Sequence, residues 1–402
     1  MTQRLNYSCR DLAYAAVGLF GVLTLAGCPQ PPNSGWTYSL GDSWSYAIGV
    51  EQMSDGGFVL GGTLVGGEYD NPVGMTLTRT DAHGALVWTK SYPGDGYAKA
   101  NAMQRTSDGG FVLAGWSGDV LKTDVDGVVE WSKRINSKAD LHAVRQTADG
   151  GYIFAGNISS EGLFQGWSGA YAAKTDAQGT VVWEETFIDS GGLGWGDTVA
   201  YAVVEISGGG FLLCGDINDG GYSETGQLMF LVRIGANGDL VWDKTLGRWG
   251  EAAYAAVEKD DGTFLIAGAG SKSRRLRDSE ELYVICVDSN GNLIWQTYGD
   301  QAEVSAIVLL PDGSFAVSGG GSYLARFDTQ GTELWTREYH NDAGIPRRLL
   351  PFPGGGNEAL ISTANGGFAL AGFVWTDNDI MSLDFHRRGY LVVTDSAGNP
   401  VD

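Results

Sequence analysis

DGGFVLAGWSGDVLKTDVDGVVEW, residues Asp108 to Trp131, carries the pattern from which the rest of the chain is built. Asp108-Gly109-Gly110 supplies the positive φ angles of a tight hairpin, and Phe111 to Gly115 is a short apolar run of the kind buried on both faces. A second strand, Val120 to Thr123, follows. Asp124-Val125-Asp126-Gly127 then forms another turn, with a carboxylate to accept backbone N–H bonds and a glycine for the left-handed position. Val128 to Trp131 opens the last strand. Four short strands with polar turns cannot bury two apolar faces alone, so the unit must stack against copies of itself.

Two anchors count the copies. The hairpin recurs at Asp55, Asp108, Asp149, Gly208, Asp261, Asp312 and Asn365, seven times at intervals of roughly 52 residues, a length that suits a four-stranded blade with variable loops. The second anchor, Asp-x-x-Gly-x-x-x-Trp, is exact or close at Trp88, Trp131, Trp183, Trp242, Trp295 and Trp335, and its seventh copy runs from Asp395 to Asp402 without a tryptophan. The missing strand lies near the other terminus. Trp36 sits 19 residues before Asp55, as Trp88 sits 20 before Asp108. The expectation is an all-β, seven-bladed β-propeller of four-stranded antiparallel blades, closed by an N-terminal strand that completes the last blade.

The chain organises into a signal over residues 1–27, a tether over 28–35 and the propeller over 36–402. Arg4 and Arg10 precede an apolar segment, Leu12 to Leu25, which ends at Leu25-Ala26-Gly27-Cys28. This resembles a bacterial lipoprotein signal, in which the chain is cut before a cysteine that then carries acyl chains. The resemblance implies lipidation at Cys28, hence palmitate and a membrane anchor, a place in the cell envelope outside the cytoplasm, and the outer membrane in a Gram-negative cell. Pro29 to Gly35 is a stiff spacer.

Net charge is −22, with 26 basic and 48 acidic residues. Such a surface repels nucleic acid, so nucleic-acid binding is disfavoured. Of four cysteines, Cys9 falls in the signal, and Cys214 and Cys286 occupy different columns of different blades, as two separate small thiols rather than a disulfide.

Six residues ahead of each hairpin anchor stands Gly49, Ala102, Ala143, Ala202, Ala255, Ala306 or Ala359. A column of small residues fits the strand nearest the axis, where blades converge. Short anchored turns then share one face, and variable loops share the other, where function is expected. Those loops include Ala269 to Glu281, Tyr339 to Gly356 and Phe373 to Arg388. They hold Arg274, Arg275, Arg277, Arg347, Arg348, Arg387 and Arg388, a cationic sector at blades 5 to 7 suited to binding a carboxylate, phosphate or acidic sugar through guanidinium forks. These side chains can equally pair with neighbours such as Asp278, Asp342 and Asp384 as solvated rim charges.

Other chemistry is thinner. His142, His340 and His386 map to the loop face, but no close-spaced ligand pair defines a metal site. Asp288 to Asn292 could serve calcium and is better explained as a repeat turn. Trp116, Trp167 and Trp375 could stack on sugars, whereas the strand tryptophans read as packing between blades.

The Asp-x-x-Gly-x-x-x-Trp run with its preceding hairpin resembles the tryptophan-docking repeat of the pyrroloquinoline-quinone-type propellers. That superfamily includes dehydrogenases and cofactor-free lipoproteins. Its members usually have eight blades, and this chain lacks an adjacent cysteine pair of the quinone-stacking kind, so no cofactor residue carries over and no cofactor is expected. Sialidase Asp boxes and tryptophan-Asp repeats do not match. Two classes remain: a monomeric binding or scaffolding lipoprotein holding an envelope protein or glycan on its loop face, or a hydrolase or lyase acting on a glycan with loop carboxylates and histidines. The first is favoured, because no nucleophile, metal cluster or carboxylate pair stands out.

Overall fold

The computed structural model describes residues 45–66, 71–94, 99–159, 168–187, 197–218, 227–247, 250–270, 281–301, 303–320, 323–339, 359–377 and 385–401. The chain divides into Met1–Ser34 and Gly35–Asp402, and the second unit is the propeller. Cys28, the tether and the Trp36 strand lie outside the described residues, as do Arg274, Arg275, Arg277, Arg347 and Arg348.

Blade 2 shows the plan. Ala100–Arg105, Phe111–Gly115, Asp119–Thr123 and Val129–Arg134 pair in order as an antiparallel meander. Blades 1 and 3 to 6 repeat it, and blade 7 contributes Ala359–Ser362, Phe368–Asp377 and Phe385–Thr394, so the chain folds as the seven-bladed all-β ring expected. After its third strand, blade 7 turns at Asp395, and Pro400 bridges back to Thr394, which begins the outer strand.

Packing between blades closes the ring. Ala47, Val50, Phe58 and Leu60 of blade 1 form one buried cluster with Ala369, Ala371 and Leu391 of blade 7. Among the described residues a parallel pairing of Ser45 with Arg388 joins the two sheets as well. Hydrogen bonds repeat around the turn face: the backbone N–H of Ser107 reaches Gln146, that of Ala148 reaches Glu205, that of Ser207 reaches Glu258, and that of Ala364 in blade 7 reaches Gln52 in blade 1 at 2.8 Å. Each clip satisfies a turn donor that would otherwise be left to water.

The tryptophans dock as the repeat implies. Trp88, Trp131, Trp183, Trp242, Trp295 and Trp335 each lie against the turn glycine of the next blade, Gly127, Gly179, Gly238, Gly291, Gly331 and Gly398. All six glycines have positive φ, and a Cβ there would meet the indole ring at 2.5–3.1 Å. Trp183 also donates from Nε1 to the Ala236 carbonyl at 2.9 Å.

A second internal rule links the third strand to the hairpin. Lys122 is 2.9 Å from Asp108, Lys174 is 2.9 Å from Asp149, Arg79 is 2.5 Å from Asp55 and Arg326 is 2.7 Å from Asp312. In each hairpin the same aspartate accepts the backbone N–H two residues on. Bonds from the Thr147 hydroxyl and the Lys174 ammonium hold the Asp149 carboxyl down at about 2. Blades 4 and 7 have Gly208 and Asn365 in place of the aspartate, and blade 5 has Cys286 in the basic column, with Lys259 of its own hairpin meeting Asp261 at 3.2 Å. Cys214 and Cys286 are both free and buried, and burial pushes the Cys214 thiol up to about 12.

Candidate functional site at the axis of the ring

The second strand of every blade carries a glycine seven residues after its anchor: Gly62, Gly115, Gly156, Gly215, Gly268, Gly319 and Gly372. Its cause is a close approach. At Gly115 a Cβ would lie 1.7 Å from the Lys99 carbonyl oxygen, and at Gly215 it would lie 1.8 Å from that of Val199. The inner strand presses in here because it is bulged. Pairing skips a residue between Ala47 and Gly49, Ala100 and Ala102, Ala200 and Ala202, Ala253 and Ala255, and Val304 and Ala306, and in blade 3 the skipped residue is His142.

A bulge re-aims the extra side chain out of the alternation of its strand. The residues so displaced are Ile48, Asn101, His142, Tyr201, Tyr254 and Ser305, one per blade on the innermost strands. Three of them form an arc. The rings of His142 and Tyr201 have centroids 5.3 Å apart at 62°, and those of Tyr201 and Tyr254 are 5.2 Å apart at 72°. Equivalent residues of adjacent blades meet this closely only near the axis, and all three remain half-buried.

Each ring sits in a defined electrostatic setting. Burial holds His142 below the usual imidazole range, outweighing its bond to Asn157 and the Asp140 carboxylate, so the ring is neutral at pH 7. His142 Nε2 lies 2.9 Å from Asn157 Oδ1, an acceptor, which fixes the proton on Nε2 and leaves Nδ1 an acceptor. Burial, with the Asp216 carboxylate nearby, raises the Tyr201 phenol so that it stays protonated. Asn101 donates from Nδ2 to the Leu141 carbonyl at 3.0 Å, tying blade 2 to blade 3. Among the described residues, neither the Tyr201 hydroxyl nor the Ser305 hydroxyl has a hydrogen-bond partner.

Towards the turn face the inner strands carry a second column: Glu51, Gln104 and Arg145, then Val204, Val257, Val308 and Ile361. Burial raises the Glu51 carboxyl, and the Arg105 N–H bond with the charges of Arg145 and Arg105 works against that rise. Gln104 Oε1 accepts from the Gln146 N–H at 2.5 Å. These groups stitch blades 1 to 3 together. The column is aliphatic over the other blades.

The expected site residues fare unevenly. Phe373 to Arg388 is not one loop: strands continue to Asp377 and resume at Phe385. Arg387 and Arg388 therefore stand on the third strand of blade 7, paired with Trp375 and Val374, because the two long strands extend the hairpin past the length typical of other blades. His386 is on the same strand, His340 lies outside the described residues, and His142 belongs to an inner strand rather than to a loop. Trp116 is held under the Lys99 ammonium, 4.9 Å from the ring centroid. Asp288 forms the repeat turn, accepting from the N–H groups of Asn290 and Asn292. Among the described residues no three histidine, cysteine, aspartate or glutamate side chains gather as a metal set.

The axial arc escaped the sequence reading, which noticed the small residue six places before each anchor and not the variable one beside it. A signal existed. An unvarying glycine on the second strand, one place beyond the residue that pairs with the small column, lies next to the bulge, and the varied residue beside the small column is the one delivered to the axis.

No family model matches the chain, and no curated protein matches it by sequence. Solved structures do. The WD40 β-propeller domain of Doa1 is 14% identical at a TM-score of 0.55, covering 89% of this chain and 96% of its own. Streptogramin B lyase is 13% identical at 0.54, covering 90% and 97%. A protein of unknown function from Bacteroides caccae is 13% identical at 0.44, covering 73% and 93%. At these identities the likeness is one of fold: the chain is a seven-bladed β-propeller, similar in architecture to proteins of unlike activity.

Proposed function

We propose that this chain is a binding or scaffolding propeller of the cell envelope, tethered by lipid at Cys28, that takes its ligand where the axis opens on the variable-loop face. The observation that carries the binding role is the arc of His142, Tyr201 and Tyr254, three half-buried rings side by side on the inner strands of blades 3 to 5. Aromatic walls with a few placed polar groups are the usual composition of a ligand site. The tryptophan-docking pattern relates it, in this reading, to the cofactor-free members of the superfamily it resembles. The rim arginines Arg274, Arg275, Arg277, Arg347 and Arg348 serve as a separate contact for an anionic group of a partner, with Arg387 and Arg388 on the adjoining strand.

The hydrolase or lyase reading is weaker on one physical ground. His142 is bonded to an amide oxygen, whereas a general base gains from a carboxylate partner that stabilises its protonated form.

A fractionated envelope extract tests the binding role. At least one fraction is expected to raise the melting temperature of the full chain and to leave a Tyr201→Leu variant unmoved; equal shifts in both would place the ligand elsewhere. The tether has its own test. Cys28→Ser is expected to abolish incorporation of labelled palmitate and to release the propeller from the membrane fraction, and a variant that stays labelled and bound would refute the anchor.

A further inference from the structure

The polar groups that accompany the arc restrict what it can hold. Asn157 is bonded to His142 and the Asp216 carboxylate lies near Tyr201, and the corresponding second-strand positions of blades 5 and 6 are the uncharged Ala269 and Gly320. Nearly all of this set is uncharged. Its carboxylates, Asp216 and the adjacent Asp140, oppose an anion, and the Lys99 ammonium, held over the Trp116 ring, offsets only part of their pull at His142. The charges disfavour an anion, and the hydrogen-bonding groups decide between a cation and a neutral ligand.

The hydrogen-bonding inventory narrows it further. His142 Nδ1 offers an acceptor, while the Tyr201 and Ser305 hydroxyls can each donate and accept. Groups that do both are matched by ligand hydroxyls, which also do both. The ring faces supply apolar area for C–H groups at low entropic cost, because a tyrosine has few rotatable bonds to freeze. The wall is also uneven. Blades 3 to 5 carry large rings, and blade 6, next around the axis, carries only Ser305, so the short side chain leaves room against the arc.

We infer that the axial wall of blades 3 to 6 binds a pyranose ring of a neutral saccharide, its C–H face against Tyr201 and Tyr254 and its hydroxyls bonded to His142 Nδ1, Tyr201 and Ser305. This assignment rests on the binding role proposed above and gives it a ligand class.

Ligand-observed saturation-transfer NMR on the full chain tests it, with lactose, cellobiose, maltotriose and N,N′-diacetylchitobiose as probes and choline and acetate as charged controls. At least one saccharide is expected to show transfer, and both controls none. Tyr201→Leu weakens that saccharide about tenfold or more, the equivalent of one lost stacking contact and hydrogen bond. Tyr254→Phe, which keeps the ring face, leaves it within about twofold. Ser305→Trp fills the space opposite the arc without altering a ring and abolishes binding, which keeps the test sharp if a tyrosine variant folds poorly. Transfer to none of the four saccharides, preferential binding of choline or acetate, or undiminished binding in both Tyr201→Leu and Ser305→Trp overturns the assignment. A saccharide failure alongside an extract fraction that still stabilises wild type but not Tyr201→Leu overturns only the ligand class, and the binding role stands.

Discussion

Gly115→Ala is expected to destabilise the propeller by about 3 kcal/mol or more, among the larger single-methyl effects a β-protein can show. The new Cβ would stand 1.7 Å from the Lys99 carbonyl oxygen, 2.8 Å from its carbon and 3.2 Å from Ala100 Cα, all backbone atoms. No side chain can swing aside to make room. The inner strand must therefore withdraw at its bulge, which breaks the bond from the Trp116 N–H to the Lys99 carbonyl and moves Asn101 away from the Leu141 carbonyl. Damage in one blade thus spreads to the next. Gly109→Ala is the control: its φ is +89°, but the nearest atoms to a Cβ there are 4.0 Å away. That variant suffers only the left-handed penalty of about 1–2 kcal/mol. Urea denaturation of both variants measures the difference, and a Gly115→Ala cost no greater than that of Gly109→Ala would show that the bulges are not held by close approach.

Loss of the indole at Trp36 is expected to cost about 3 kcal/mol, as removal of a docked tryptophan does. Six turns of the Asp-x-x-Gly type receive a tryptophan from the preceding blade. The remaining one, in blade 1, has the same geometry: Gly84 has φ 76°, its N–H donates to the Asp81 carbonyl at 3.0 Å, and the Asp81 N–H donates to the Ala85 carbonyl at 2.8 Å. At the other side of the seam, the Val401 N–H donates to the Val393 carbonyl at 3.0 Å, so an outer strand has been started on blade 7. A tryptophan is due just beyond it, and Trp36 has the right spacing from the first hairpin to supply one. Trp131→Ala, which strips Gly179 of its indole, sets the scale. Comparable losses for Trp36→Ala and Trp131→Ala support closure by the N-terminal strand. A Trp36→Ala loss below about 0.5 kcal/mol, the level of an ordinary surface change, sinks it.

Much of the architecture was legible because each blade repeats its own instructions. Paired glycines at Asp108-Gly109-Gly110 and the turn at Asp124 to Gly127 set chain reversals locally, and a meander with two short turns must put both on one face. The six strand tryptophans among the described residues also read correctly as packing between blades. Arg387 and Arg388 misled because His386, Arg387 and Arg388 lack the apolar alternation of a strand; pairing with Val374 and Trp375 holds them extended all the same. The basic column showed a milder limit. Lys122 and Lys174 look like exposed strand residues until the hairpin aspartates fold back over them, leaving their side chains 3% and 7% exposed.

By itself the sequence determined the number of blades, the meander order of their strands, the placing of both short turns on one face and the packing of strand tryptophans between blades, since all of these are written within about one repeat length. Only the tertiary structure decided that His142, Tyr201 and Tyr254 touch. They are 59 and 53 residues apart along the chain, and they meet because the inner strands, bulged in the six blades where this position is described, converge on one axis, a relation among blades that no single blade encodes.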